Sequence, residues 1–447
     1  MLNINFIREN PEIIKKDLEK RQDTEKLRWV DDLLTKDKEW RELKGKIDEL
    51  RRKRNSLTTE ITTAKKANAD ATSLIKKAQE IPGQIKISEE RLETLRKEVE
   101  FYLMRLPNIL HETVPYGKDD MENKVVKLFG KKPKFKFQLL GHIELMEKNN
   151  WVDLERAAKI SGARWYFLKG ELALLENALV KYAIDFMMKK KYEFVVPPFM
   201  MNRKSYEGVT DLGAFEEVLY KIEGEDLYQI ATSEHPITAM YMNEVVDNKK
   251  LPIKIFGYST NFRKEAGAHG KDQKGIFRVH QFNKVEQLIF CKPEESWKLH
   301  EELIKNAIEF FTSLGLYFRQ VNVCTGDIGI IAAKKYDLEA WYPVQDNFRE
   351  VVSCSNCTAY QAIRLNIKYN TNEGNDNIHT LNSTLVATSR ALVAILENYQ
   401  QKDGTVKLPR VLIKYMNGKK MIGRIEKSIK KSKTKDNEDK IVKKKRK

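Results

Sequence analysis

Cysteine is scarce in this chain: four in 447 residues, Cys291, Cys324, Cys354 and Cys357. That is too few and too scattered for a disulfide framework, and it points to a reducing compartment, with a cytoplasmic location as the expectation. Cys354-Ser-Asn-Cys357 is a CxxC, but no second CxxC or nearby CxxH completes a zinc site, so zinc is not expected. Long apolar runs are absent too. No stretch reaches eighteen apolar residues, which argues against a membrane span and a membrane partner. The opening, Met1 to Pro11, has no long apolar core, carries acid and is not rich in arginine. It reads as neither a signal peptide nor a transit peptide.

Charge is abundant and unevenly placed. The net charge is +17, and residues 419–447 contribute fourteen Lys or Arg against four Asp or Glu. The body is therefore only mildly basic. The tail has no aromatic residue and few apolar ones, a composition that favours disorder in isolation. It suits three roles, in this order: a non-specific RNA tether, a solubilising tail, and a nuclear-import signal in Lys443 to Lys447.

A heptad pattern runs from Trp29. One seam holds Leu33, Trp40, Ile47, Arg54 and Ile61, and the other Trp29, Lys36, Leu43, Leu50 and Leu57. Thr62 to Ser73 is polar and alanine-rich and reads as a turn. A second pair of seams follows: Ala78, Ile85, Leu92, Val99 and Leu106, with Leu74, Ile81, Ser88, Leu95 and Tyr102. Two such segments make an antiparallel helical hairpin that projects from any globular body. Pro82-Gly83 is expected to kink or break its second helix. A dimerising coiled coil fits the same pattern. Leu106 to Gly117, punctuated by proline and glycine, reads as a domain boundary.

Further on, two apolar segments flank a glycine-rich loop. Ile255 to Glu265 and Ile276 to Phe290 read as paired strands, with Gly267, Gly270, Gly275, Lys271, Lys274 and Arg278 around the turn. Alternation puts Arg263 and Glu265 on one face, and likewise Phe282 and Glu286. An arginine, two carboxylates and a ring on one face make a bed for a nucleotide. A mobile basic loop suits an RNA end. An ordinary hairpin with a solvated loop fits the pattern as well.

The string Phe262-Arg263-Lys-Glu265, the glycine-rich loop and Arg278-Val-His280-Gln-Phe282-Asn-Lys-Val-Glu286 resembles motif 2 of the class II aminoacyl-tRNA synthetases, and its ending resembles the seryl-tRNA synthetases. Gly170 to Pro198, a helix carrying Leu172, Leu175, Leu179, Tyr182 and Phe186 and then a strand, resembles motif 1, the dimer-forming element of that class. Thr380 to Gln400 resembles motif 3. Thr232-Ser233-Glu234, read as a strand end, resembles the segment that holds the amino acid.

The resemblance implies an α+β fold: an antiparallel β-sheet flanked by helices, preceded by an N-terminal α-helical coiled-coil arm. It implies an arm over residues 1–106, a connecting region over 107–160, a catalytic domain over 161–410 and a basic tail over 411–447. It implies serine activation with ATP and Mg²⁺, then transfer to tRNA(Ser) and, where one exists, to selenocysteine tRNA, by a homodimer.

Residue by residue, Arg263 is implied to meet the α-phosphate. Arg390 would contact the γ-phosphate and cover the purine, Phe282 stack on its other face, and Glu265 accept from the adenine amine. Lys264, Val279, Val351 and Val352 complete the ATP set, and Glu350 and Ser353 the Mg²⁺ set. Thr232, Ser233, Glu234, Arg263, Glu286, Asn382 and Thr384 form the implied serine set. Val352 suggests the eukaryotic cytosolic type, since bacterial members usually carry Ser or Gly there. Ile363 departs from the usual arginine and Ser383 from Gly or Ala, which leaves a salt bridge and a close backbone approach unassigned. An inactive, synthetase-like RNA-binding or regulatory protein is the alternative reading.

Overall fold

The computed structural model describes residues 1–265 and 275–423. Gly267, Gly270, Lys271 and Lys274 of the loop, and the tail beyond Gly423, lie outside the described residues.

Two short helices, α1 (Ile4–Glu9) and α2 (Pro11–Lys20), lead into α3 (Thr24–Lys66) and α4 (Thr72–Arg105). At 43 residues α3 is about 65 Å long, using ~1.5 Å per residue. The expected seams face each other: Leu57 is buried against Ile81 and Ile85 near the tip. At the foot, Leu33 and Leu103 join Ile7, Ile14 and Leu18 in a separate core. Cross-hairpin ion pairs Arg51–Glu89 (2.8 Å), Arg91–Glu39 (2.8 Å) and Lys36–Glu98 (3.0 Å) keep the register, although exposed pairs contribute little energy.

The break expected at Pro82 does not occur. α4 runs continuously through it. Burial of Ile81 and Ile85 on either side holds the helix against the loss of one backbone hydrogen bond.

The body is built on an eight-stranded sheet. Its strands are β1 (Lys124–Phe129), β2 (Glu193–Val195), β3 (Ile253–Phe262), β4 (Gln281–Cys291), β5 (Phe318–Asn322), β6 (Lys334–Tyr342), β7 (Asn347–Asn356) and β8 (His379–Ala387). Their order is β1-β5-β6-β7-β8-β4-β3-β2, antiparallel except for β2 beside β3. Three helices, α5 (Gly170–Lys189), α6 (Ser296–Ser313) and α7 (Thr388–Tyr399), bury apolar stripes against it. Each fully buried Leu, Ile or Phe contributes roughly 1.5–3 kcal/mol, which gathers the sheet and helices into one core.

Three boundaries differ from the sequence-based expectation. The hairpin is shorter at its loop end, because Ile276, Phe277 and Val279 turn into the core instead of extending the ladder. Gly275 opens that turn at φ +83°, and a Cβ there would lie 2.2 Å from His142 Nε2, so only glycine fits. The connecting region over 107–160 is not separate: β1 is the edge of the sheet, and Leu145, Met146 and Trp151 belong to the main core.

The body also runs past residue 410. Leu412, Met416 and Ile422 are buried, and Glu171 accepts from Lys419 Nζ (2.8 Å) and from the Gly423 amide (2.9 Å). The body therefore reaches at least Gly423, past the boundary expected at 411.

Proline in a helix interior costs about 3 kcal/mol relative to alanine. Pro82→Ala is accordingly expected to stabilise the arm. Slower amide hydrogen exchange along α4, with no change in the body, is the result that checks it.

Candidate active site

Strand alternation places Phe282, Lys284 and Glu286 of β4 on one face, toward a cavity of about 590 Å³. The segment Ala231–Glu234 crosses its floor. It is not the strand end expected, since β-pairing stops at Gln229 and Glu234 begins a short helix, Glu234–Ala239.

The floor is organised around Glu286, whose residue exposure is 2%. Lys284 Nζ donates to Glu286 Oε1 and to Thr232 Oγ1, both at 2.7 Å. The Thr232 hydroxyl donates to Glu286 Oε2, as do Ser233 Oγ (3.1 Å) and the Glu234 amide (3.0 Å). Burial opposes charge on Glu286, but the Lys284 ammonium and these donors outweigh it and hold the carboxyl below its ordinary range.

Glu234 goes the other way. Burial first, and the Glu286 carboxylate second, push it up to about 7, against the opposing hydrogen bond from Gln361 Nε2 (2.9 Å). Gln361 is oriented in turn by Thr380 Oγ1 at 2.7 Å. Asn382, Thr384 and Cys357 complete this acidic end, with Asn382 Nδ2 3.7 Å from Cys357 Sγ.

The other end is cationic. Arg263 lies just past β3, its Nε donating to Ala231 O at 3.2 Å and its guanidinium 5.3 Å from the Phe282 ring centre. Burial lowers its pKa from the ordinary value. Arg390, two residues into α7, faces Glu350 of β7 at 3.3 Å and lies 5.4 Å from the Phe277 ring. Burial opposes its charge, and Glu350 more than restores it. Glu265, at φ +50°, is ion-paired with Arg278, and Arg164 Nη1 holds its carbonyl at 2.8 Å.

Arg263, Glu265, Val279, Phe282, Glu350, Val351, Ser353 and Arg390 all line the cavity, as do Thr232, Glu234, Glu286, Asn382 and Thr384. Three expected residues do not. Ser233 lies beneath the floor and acts on Glu286. Lys264 is exposed, with its ammonium 5.9 Å from the Tyr220 ring. Val352 is buried in the core, because alternation along β7 turns it away from Ser353. Lys284, Phe277 and Gln361 were missed, although the two-residue period from Phe282 to Glu286 already marked Lys284. Ile363 leaves no gap, since Arg364 alone donates to Thr210 O at 2.8 Å and to Tyr360 Oη at 3.0 Å. Ser383 is buried and its hydroxyl donates to Thr384 O at 3.0 Å.

Residues 218–399 match the tRNA synthetase class II core domain (G, H, P, S and T), and residues 1–110 match the seryl-tRNA synthetase N-terminal domain. The serine–tRNA ligase of Methanocella arvoryzae is 56% identical over 421 residues, covering 94% of this chain and 99% of that protein. This chain belongs to the seryl-tRNA synthetase family.

The crystal structure of seryl-tRNA synthetase from Pyrococcus horikoshii complexed with ATP has a TM-score of 0.89 to it at 47% identity, covering 95% of this chain and 100% of that one. The cytoplasmic serine-tRNA ligase from Naegleria fowleri in complex with AMP gives 0.84 at 39%, covering 95% and 99%. The fold is thus the class II synthetase sheet with its helical arm. The eukaryotic type suggested by Val352 is not supported. The relatives found at 56% and 47% identity, from Methanocella arvoryzae and Pyrococcus horikoshii, are archaeal.

Among the described residues no group of three or more His, Cys, Asp or Glu side chains stands together to hold a metal. The Glu350 carboxylate and the Ser353 hydroxyl, both on β7, are among the cavity's oxygen donors for a hard cation. They suit Mg²⁺ when phosphate and water oxygens supply the remaining ligands.

An ammonium group seated beside Glu234 needs that carboxylate ionised. Its affinity should therefore fall as pH drops through about 7, and Glu234→Gln should flatten the dependence. Amine-ligand affinity measured from pH 6 to 8 in both proteins tests the sign.

Proposed function

We propose that this seryl-tRNA synthetase family member is a serine–tRNA ligase that activates L-serine with ATP and then charges tRNA(Ser), and selenocysteine tRNA where one exists. The observation that carries the reading is a single cavity with a buried, hydrogen-bonded carboxylate at one end and two half-buried arginines at the other.

In the first step a serine carboxylate oxygen bonds to the α-phosphorus of ATP. The bond to the β-phosphate oxygen breaks and pyrophosphate leaves. Arg263 meets the charge growing on the α-phosphate oxygens, and Arg390 holds the γ-phosphate. Phe282 and the Arg390 guanidinium enclose the purine, and Glu265 accepts from its amine once released by Arg278. In the second step the terminal ribose hydroxyl of tRNA attacks the carbonyl carbon and AMP leaves. No protein side chain is the nucleophile. Most of the rate enhancement comes from placing two anions in line and neutralising them.

Glu350 and Ser353 would hold Mg²⁺, which would supply further neutralisation of the triphosphate charge. Glu234 pairs with the serine ammonium. Thr232, Asn382, Thr384 and Glu286 enclose the hydroxyl, so alanine leaves buried polar groups unpaired.

The arm extends away from the cavity and suits the body of a tRNA. Exposed Leu174 and Met188 on α5, with Phe194 and Val196 at β2, offer an apolar face for a homodimer. No helix among the described residues is long and apolar enough to cross a membrane. A cytoplasmic setting agrees with four unpaired thiols. Nothing favours the inactive alternative, since Arg263, Glu265, Glu286 and Arg390 are all present and line the cavity.

ATP–pyrophosphate exchange should be supported by serine and much less by threonine, alanine or glycine. Equal exchange with several of these, or none with any, overturns the assignment. Glu286→Ala should impair serine discrimination more than ATP binding. Replacing Lys44–Leu92 by a short loop removes the distal arm and should leave exchange nearly unchanged while crippling tRNA charging.

A further inference from the structure

The foot of the arm does more than dock on the body. Its polar contacts land on the backbone of residues that line the cavity. Arg21, whose side chain is 7% exposed, donates from Nη1 to Gly329 O and from Nη2 to Asn108 O, both at 2.7 Å. Its Nε pairs with Asp17 Oδ2 at 3.0 Å, and Asp17 Oδ1 accepts from the Leu110 amide at 2.8 Å.

Asn108 is buried and fully engaged. Its amide donates to Ile330 O at 2.8 Å. Its side-chain Nδ2 donates to Ile331 O and to Cys357 O, both at 2.9 Å, with Thr358 Oγ1 3.0 Å away. Gly329, Ile330, Ile331 and Cys357 are all cavity-lining residues. The stretch Ile328–Ala332 is a turn between β5 and β6 and has no ladder of its own to hold it. Its carbonyls are satisfied instead by the arm foot and the boundary segment. Cys357 stands at the acidic end, where Asn382 and Glu234 face it.

We infer that Arg21 and Asn108 are positioning residues for the amino-acid end of the cavity: they set the 329–331 wall and the Cys357 backbone against which the bound amino acid packs. Neither touches the cavity itself, so they act through the carbonyls they hold. The inference rests on the serine–tRNA ligase reading. It assigns the base of the arm a part in amino-acid binding, separate from any grip on tRNA by the distal arm.

The experiment is ATP–pyrophosphate exchange by the full chain carrying Arg21→Met, Asn108→Ala or Arg21→Lys. A loosened wall should raise the KM for serine about ten-fold in the first two variants while the KM for ATP and kcat stay within about two-fold. Arg21→Lys keeps the Asp17 pair and reaches one carbonyl, so it should recover part of the loss. It also carries the test if Arg21→Met fails to fold. An unchanged KM for serine overturns the inference. So does a parallel rise in both KM values with a fall in kcat and in Tm, which marks a purely structural joint. If the native chain supports no serine-dependent exchange, the functional reading itself fails. Serine-specific exchange in the native chain with unaltered variants removes only the positioning role.

Discussion

The buried pair of Lys284 and Glu286 is the constraint on which the site depends. A carboxylate 2% exposed is costly unless it is paired and hydrogen-bonded, and here the ammonium meets Oε1 while two hydroxyls and a backbone amide meet Oε2. Those donors come from two separated segments, so satisfying Glu286 forces Thr232–Glu234 onto the face of β4. Once there, the same segment brings Glu234 beside a second carboxylate. Gln361 must then turn toward it and Thr380 must orient Gln361. One buried charge thus sets the arrangement of four chain segments.

At the far end the logic is reversed. Arg263 and Arg390 are half-buried on the same cavity, where Arg390 disfavours charge on Arg263 and Glu350 is the principal counterion for Arg390. A polyphosphate entering this end replaces repulsion between two cations with attraction to both. Glu265 starts out engaged with Arg278, so a base amine must exchange for an arginine to reach it. That exchange favours a ligand able to draw Arg278 elsewhere, as a phosphate chain can.

Much of this was legible in the sequence. The arm followed from heptad seams, and its two helices match them closely, because a narrow apolar stripe on a charged helix has one way to be buried. The motif 2 string located Arg263, Phe282 and Glu286 on the cavity, and Arg390 of the last helix arrived there too. The errors have physical causes. Pro82 did not break α4, because seam packing outweighed one lost hydrogen bond. The expected strand over Thr232–Glu234 became a turn and a helix start, because satisfying Glu286 overrode local β-preference. The sheet gained β1 from a stretch read as part of a connecting region, since β1 buries little and so has a weak pattern.

By itself, the sequence determined the arm, the central strand pair, the helices of motifs 1 and 3 and the identity of the charged residues at the site, for these depend on local periodicity and on contiguous strings. Tertiary structure alone decided which carboxylate is held ionised and which has its pKa pushed up toward neutrality. It also decided that Lys284 neutralises the floor, and that Arg21 and Asn108 reach the wall of a cavity more than 200 residues away in the chain. The reason is that burial and charge pairing act through space. Two glutamates identical in sequence terms diverge only when one receives four donors and the other faces its neighbour's negative charge.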